Sequence, residues 1–400
     1  MSQRPHAIKA CTADLPIELP VPSFSVYDSL DASRPTHWGT ESTVVRDWSL
    51  QQIAPYIGRI KTTMARSLIY ETTQPGDLLI DPFCGCGIIP YEAAVMGRRV
   101  LAGDWNPYAV VLTKAKLFAP NSFEEALNRL TQLWLHSREH LKKQDLRSVP
   151  LWVRAFFHNE TLRSALAFRD SCHEFKDTFL LACLLGILHH QRPGFLSYPS
   201  SHLVPYLRNR KFPRNSFPDL YRERDVLVRL IAKLKRLYKN KSLAELPKRE
   251  VLERDARRFP ARSEVQAVIT SPPYMNELDY VRDNRLRLWF IDRALPKSLD
   301  FVNRRREEEF HNLLESVLER LSSGVRPQGF IVLVLGEVTR RSKATPPESI
   351  AQTIFANSKK LRPFYLVSRT QDLIPDIRRS RRECRGTKIE TILAYQKAKL

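Results

Sequence analysis

Cysteine is scarce in this sequence, and its distribution excludes two classes of protein. Six cysteines among 400 residues are too few and too scattered for the disulfide framework of a small secreted protein. Cys84 and Cys86 form a C-x-C pair, but no second pair follows at the spacing of a structural zinc site. We therefore expect reduced thiols and no zinc-finger module.

Long apolar runs are also missing. The longest candidate, residues 179–188, is about half the length that a membrane-spanning helix needs. The first residues, 1–6, do not contain the apolar stretch of a secretory signal. These absences predict a cytoplasmic protein with no membrane partner.

Acidic residues are outnumbered, since 43 Asp and Glu stand against 64 Lys and Arg and leave a formal net charge of +21. A surplus of this size favours a polyanionic partner, because each Lys or Arg beside a phosphate releases a condensed counterion. A merely basic surface would give the same total, so the charge suggests nucleic acid without identifying it.

Strands and helices alternate in the first part of the chain. Short apolar strands are predicted at 78–80 and 100–103, and helices at about 88–96 and 107–117. A further helix is predicted over 49–70, from the spacing of its apolar residues. This β-α-β-α alternation is typical of an open parallel sheet with helices on both faces.

The pattern changes after residue 121. Helical segments dominate to about residue 246, and strand patterns return at 267–269 and 330–335, with later candidates at 364–369 and 389–395. One α/β domain interrupted by a helical insertion explains this order.

A glycine loop, Asp81-Pro82-Phe83-Cys84-Gly85-Cys86-Gly87, follows the first strand and opens a helix. Ligands of doubly wound sheets bind at the carboxyl ends of strands, and glycines let the backbone approach a ligand closely. A dinucleotide is disfavoured, because Pro90 stands where the third glycine of G-x-G-x-x-G would fall.

Two acidic residues follow later strands. Asp104 ends the second strand and could accept both ribose hydroxyls of a nucleoside cofactor, or it could cap the helix that begins after Asn106. Asp255 follows a plausible third strand at 250–253, where it could receive an adenine amino group or remain a solvated charge.

A second motif, Thr270-Ser271-Pro272-Pro273-Tyr274, follows the strand at 267–269. Adjacent prolines remove two N–H donors and leave the neighbouring carbonyls free. A carbonyl and the Ser271 hydroxyl can accept the protons of an exocyclic amine, and the Tyr274 ring can stack on a flipped base. An ordinary Pro-Pro turn is the structural alternative.

The glycine loop resembles the D-P-F-x-G-x-G signature of amino-methyltransferases of DNA, and Ser-Pro-Pro-Tyr resembles the catalytic motif of the N4-cytosine enzymes of that family. The resemblance implies S-adenosylmethionine as cofactor, a Rossmann-like sheet, and binding of the target cytosine by Ser271, Pro272, Pro273 and Tyr274. The order of the motifs matches the α-type arrangement of the family, in which the intervening segment recognises the target. The candidate cofactor residues are Asp81, Phe83, Cys84, Gly85, Gly87, Asp104, Asn106 and Asp255.

This interpretation divides the chain into four parts. They are an N-terminal arm (1–45), a cofactor-binding part (46–120), a helical insertion for target recognition (121–246) and a catalytic part (247–400). The candidate DNA contacts are Tyr280 and Arg282 beyond the catalytic motif, and Arg192, Tyr198, Arg208, Arg210, Lys211, Arg379 and Arg382 in two basic loops.

Methyl transfer from a sulfonium needs no metal, so we predict none, and a separate cognate restriction enzyme is a conceivable partner. Three alternatives stay open at this point. They are N6 of adenine as the target, an RNA amino-methyltransferase, and a non-catalytic protein that binds nucleic acid.

Overall fold

The fold is built on a seven-stranded sheet, and the computed structural model describes residues 48–56, 58–198, 211–241, 245–273, 284–294, 307–338, 345–373 and 387–399. The strands are β1 (Leu78–Asp81), β2 (Arg99–Asp104), β3 (Arg249–Glu253), β4 (Val265–Thr270), β5 (Val325–Val338), β6 (Phe364–Leu373) and β7 (Thr387–Lys397). Their order across the sheet is β3-β2-β1-β4-β5-β7-β6. β7 is antiparallel to both of its neighbours, and the other pairs are parallel.

Helices cover the sheet on both faces. They are α1 (Thr62–Thr72), α2 (Ile88–Val95), α3 (Pro107–Leu117), α4 (Phe123–Leu141), α5 (Leu151–Arg154), α6 (Asn159–Glu174), α7 (Thr178–Ile187), α8 (Val226–Leu237), α9 (Arg285–Ile291), α10 (Glu307–Ser322) and α11 (Pro347–Asn357). Neighbouring strand residues point to opposite faces, so Leu79 joins the core under α1 to α3 while Ile80 joins the core under α10 and α11. The predicted Rossmann-like fold class is confirmed.

The helical insertion shares the core of the sheet domain. α7 is apolar on every side and buried along its whole length, as expected for a helix enclosed by other elements. It packs against α3, and the residues of α6, α7 and α8 belong to the same apolar cluster as β1 and β2. The target-recognition role of this part stays a prediction.

The helix predicted over 49–70 is wrong in its first half. A short 3-10 turn covers Ser49–Gln52, the described residues that follow are irregular, and α1 begins only at Thr62. Pro55 cannot continue a helical ladder, and Gly58 has a φ of +76°. The segment instead crosses α7, where a Cβ on Gly186 would lie 2.2 Å from the carbonyl oxygen of Ile53.

None of the helices in the described ranges combines the length and the apolar character needed to cross a membrane. The N-terminal arm lies outside these ranges.

Candidate active site

The glycine loop joins β1 to α2 at the carboxyl edge of the sheet. Gly85 has a φ of +50° and Gly87 a φ of +78°, a region that residues with a Cβ rarely adopt. At Gly87 a Cβ would also lie 2.6 Å from Thr113 Oγ1 and 3.0 Å from Thr113 Cα. At Gly85 the nearest atoms among the described residues belong to the Tyr56 ring, at 3.6 Å. The loop therefore needs glycine at position 87 for packing, while at Gly85 a ligand can approach the backbone.

Asp104 holds the loop from the end of β2. Its Oδ2 accepts a hydrogen bond from the Gly85 N–H at 2.9 Å, and its Oδ1 accepts one from the Asn106 N–H at 2.8 Å. The Trp105 backbone also donates to Asp104, and since a carboxylate offers about four lone-pair sites, about one remains for a ribose hydroxyl. Desolvation by burial raises the pKa of Asp104 to about 6, although these backbone hydrogen bonds oppose the shift. The bond from the Asn106 N–H is the turn role that the sequence left open for Asp104, and ribose binding stays a prediction.

Asp81 connects the glycine loop to the catalytic motif. Its Oδ1 accepts hydrogen bonds from the Thr270 hydroxyl at 2.7 Å and from the Phe83 N–H at 3.3 Å. Burial raises the pKa of Asp81 to about 7, and the neighbouring charge of Asp104 adds to the rise. Because Thr270 immediately precedes Ser271, this bond fixes the two motifs relative to each other, while direct cofactor contact by Asp81 stays a prediction.

Two other predicted cofactor residues already have local partners. The Asn106 side chain accepts from the Tyr108 N–H at 3.0 Å and caps α3. Asp255 follows β3 and accepts from Arg257 Nε with both carboxylate oxygens, at 3.0 Å each. Capping and ion pairing are thus observed, and the adenine role of Asp255 stays a prediction.

Two aromatic side chains at the site are not among the candidate site residues predicted from the sequence. Tyr56 packs beside Gly85 and lies 5.8 Å from the Tyr108 ring, centroid to centroid. Trp105 directly follows Asp104 and is 45% exposed, whereas Phe83 is half-buried against the apolar cluster of α10 and α11. A large aromatic residue just after a strand-ending acid was the available signal for Trp105.

The first part of the catalytic motif lies at the same edge. Ser271 Oγ donates to the Val334 carbonyl of β5 at 3.1 Å, and a hydroxyl oxygen can also accept hydrogen bonds. Pro272 is buried and Pro273 half-buried. β1, β2 and β4 are parallel, so Asp81, Asp104 and Ser271 follow strands that end on one side. Tyr274, Tyr280 and Arg282 lie outside the described residues.

The predicted nucleic-acid contacts are only partly described. Arg192 and Lys211 are exposed, and Tyr198 is half-buried with the Arg224 guanidinium 4.7 Å from its ring centroid. The others, Arg208, Arg210, Arg379 and Arg382, lie outside the described residues. A nucleic-acid surface therefore stays a prediction.

Fold and loop together define a Rossmann-like domain with its glycine loop at the carboxyl edge of the sheet. The backbone at Gly85, the Asp104 carboxylate and the exposed Trp105 suit a nucleoside cofactor such as S-adenosylmethionine. Residues 52–142 match the family described as RMKL-like, methyltransferase domain. This segment contains the whole glycine loop and Asp104.

A short stretch of the chain is similar to a curated methyltransferase. Over 48 residues it is 44% identical to tRNA (guanine(37)-N(1))-methyltransferase 2 of Phaeodactylum tricornutum. The stretch spans 11% of this chain and 8% of that protein.

Solved structures show a distant similarity. TrmN from Thermus thermophilus is 12% identical with a TM-score of 0.36, over 87% of this chain and 52% of that one. An rRNA methylase from Streptococcus thermophilus is 8% identical with a TM-score of 0.33, over 85% of this chain and 98% of that one.

Replacing Cys84 with alanine is expected to leave methyl transfer within about threefold of the wild-type rate, because covalent catalysis needs an accessible thiolate. Burial, followed by the charges of Asp104 and Asp81, raises the pKa of the Cys84 thiol well above its ordinary value. Its Sγ lies 3.5 Å from Thr113 Oγ1 and packs under the loop. Steady-state rates with equal cofactor saturation test this, and an inactive variant that still binds cofactor would contradict it.

Cofactor affinity is expected to fall as the pH is lowered through about 7 and about 6, where Asp81 and Asp104 take up protons. A protonated Asp104 loses acceptor capacity for ribose, and ionised carboxylates favour a cationic cofactor. The stability of the protein without cofactor is expected to depend on pH in the opposite direction. The folded state holds more protons than the unfolded chain between pH 3.8 and about 7, so the free energy of unfolding decreases as pH rises there.

Calorimetric titrations with S-adenosylmethionine at several pH values measure the first effect, and urea unfolding measures the second. Asp81→Asn should remove the step near pH 7 and keep the step near pH 6. An affinity that is flat across this range would contradict the assignment.

Proposed function

We propose that this protein transfers the methyl group of S-adenosylmethionine to the exocyclic amino group of a base in a nucleic acid. The observation that carries the proposal is the hydrogen bond between Thr270 and Asp81, 2.7 Å long, which joins the catalytic motif to the cofactor loop. The net charge of +21 supports a polyanionic substrate.

The bound cofactor supplies an electrophilic methyl group on a sulfonium. Asp104 holds the loop through Gly85, and the exposed Trp105 offers a face for the adenine ring. Ser271 Oγ donates to the Val334 carbonyl and would accept a hydrogen bond from the target amine. An amine held in this way would direct its nitrogen lone pair towards the methyl group that the cofactor would supply, and the proton that the nitrogen gives up would leave to solvent. Positioning of this kind can supply much of the rate.

RNA is the polymer that the comparisons favour. The matched relative from Phaeodactylum tricornutum carries the name of a tRNA methyltransferase. The target named for that relative, N1 of guanine, is a ring nitrogen, whereas the Ser271-Pro272 acceptors suit an amino group. We therefore propose an amino group of an RNA base as the first acceptor to test.

DNA is the second candidate, and the Ser271-Pro272-Pro273 motif favours it, with N4 of cytosine as the predicted atom and N6 of adenine as the alternative. A restriction enzyme as partner belongs to this candidate alone.

The deciding experiment uses isotopically labelled S-adenosylmethionine, unmethylated plasmid DNA and in vitro transcribed tRNA and rRNA, followed by mass spectrometry of the nucleosides. A labelled exocyclic-amine product in either polymer supports the proposal and names the polymer. No product in either, with cofactor binding shown by calorimetry, would reject methyl transfer to nucleic acid and favour a non-catalytic role.

Ser271→Ala is expected to lower kcat about tenfold, because one hydrogen bond to the amine is worth roughly 1 to 1.5 kcal/mol. Cofactor affinity should stay unchanged. The matched control is Ser323→Ala, since Ser323 Oγ also donates to a backbone carbonyl, that of Arg320 at 3.2 Å, in the turn before β5. Equal kcat values for the two variants would remove Ser271 from the mechanism.

A further inference from the structure

A cluster of side chains that could bind a metal lies in the helical insertion, on α4 and α6. His136 and His140 are one turn apart on α4, and Glu174 ends α6. Each offers one ligand atom, and these atoms all lie within 4.8 Å of one another. α4 and α6 pack side by side, as shown by the Trp134 and Phe168 rings 5.8 Å apart.

The distances suit a small dication. His140 Nε2 lies 2.9 Å from one Glu174 oxygen, and His136 Nε2 lies 3.7 Å from the other. Ligands about 2.1 Å from a tetrahedral zinc lie about 3.4 Å from each other, so only small side-chain movements are needed. A second carboxylate, Glu139, lies 3.9 Å from His136 Nε2.

The His136 ring is held with its Nε2 towards the cluster. Its Nδ1 lies 3.2 Å from the hydroxyl of the buried Ser171, and the Phe175 ring packs edge-on against it at 4.9 Å. A hydrogen bond at the far nitrogen of a metal-binding histidine fixes both the tautomer and the orientation of the ring. Ser171 therefore serves as a positioning residue.

Charge also favours an ion here. The Glu174 carboxylate would cancel half of the charge of a dication held between it and the two imidazoles. Two neutral imidazoles and one carboxylate are a common zinc donor set, which leaves the fourth position to water.

We propose that His136, His140 and Glu174 bind Zn²⁺ and that the ion joins α4 to α6. Sequence spacing shows only the histidine pair, since Glu174 lies 34 residues beyond His140. The expectation of no metal was drawn from the methyl-transfer chemistry, and this site plays no part in that step.

The test is calorimetric titration of the EDTA-treated, full-length protein with Zn²⁺ alone. Wild type is expected to bind one ion with a Kd in the micromolar range or below. His140→Gln and Glu174→Gln should each weaken binding at least about 100-fold, and Ser171→Ala about tenfold. The matched control is His311→Gln on α10, where Nδ1 of His311 lies 3.9 Å from Glu315 in an (i, i+4) pair that forms no three-ligand cluster with any described residue. This control should bind like wild type.

A second readout keeps the proposal testable if a variant folds poorly. Zn²⁺ should raise the Tm of wild type and of His311→Gln, because an ion that binds the folded state stabilises it by mass action. The Tm of Glu174→Gln should not respond. The proposal is overturned if wild type shows no saturable binding below about 1 mM, or if the cluster variants bind Zn²⁺ as tightly as His311→Gln does.

Discussion

Replacing Asp104 with asparagine is expected to weaken S-adenosylmethionine binding about 100-fold, close to 3 kcal/mol. The two carboxylate oxygens accept from two different backbone N–H groups, those of Gly85 and Asn106. An asparagine has one oxygen, so its NH₂ must face one of these donors. The loop then loses a charge-assisted hydrogen bond and gains a repulsive approach of two donors.

Isothermal titration with the cofactor measures this effect, and the circular dichroism of the variant checks that it is folded. Asp145→Asn is the matched control, because Asp145 also caps a short helix by accepting from a backbone N–H, that of Arg147 at 2.9 Å, but on the exposed surface of the insertion. Asp104→Asn binding within about threefold of wild type would show that Asp104 does not organise the cofactor loop.

Replacing Gly87 with alanine is expected to lower the free energy of unfolding by about 3 kcal/mol, from about 1 kcal/mol of backbone strain and the rest from overpacking. The strain arises because φ is +78°, and the overpacking because the new Cβ lies 2.6 Å from Thr113 Oγ1 and 3.0 Å from Thr113 Cα. Removing the Thr113 hydroxyl relieves the first of these two clashes but leaves the backbone atom in place. Thr113→Ala added to Gly87→Ala should therefore restore only part of the loss.

Urea unfolding of Gly76→Ala provides the control. Gly76 has a φ of +88°, and apart from its chain neighbours no described residue has an atom within 4 Å of the Cβ position, so its variant carries the strain without the clash. The difference between the two variants isolates the overpacking against Thr113. Equal losses for Gly87→Ala and Gly76→Ala would show that the loop relaxes around the methyl group.

Much of the sheet is predictable from sequence because it depends on local patterns. The strands at β1, β2, β4 and β5 and the helices α2 and α3 were found from apolar periodicity and from breakers such as Gly97. The predicted helix over 49–70 is wrong before Thr62, although its apolar residues have helical spacing. Pro55 and the close packing of Ile53 against Gly186 determine the backbone there instead.

The site is divided in the same way between local pattern and packing. The glycine loop, Asp104 and Ser271 stand next to strand ends, so their place at the carboxyl edge could be predicted from the chain. The hydrogen bonds that hold these residues could not be predicted, because Thr270 lies 189 residues from Asp81 and Thr113 lies 28 residues from Gly85. Such partners have no sequence spacing to reveal them.

By itself, the sequence determined the alternation of strands and helices, the glycine loop and the polar residues that follow each strand, because these depend on backbone geometry and burial over a few residues. Only the tertiary structure decided that the insertion shares the sheet's core, that Tyr56 lies against Gly85, and that Glu174 meets His136 and His140. These arrangements depend on how whole helices pack, and packing is set by the shape and burial of many side chains at once.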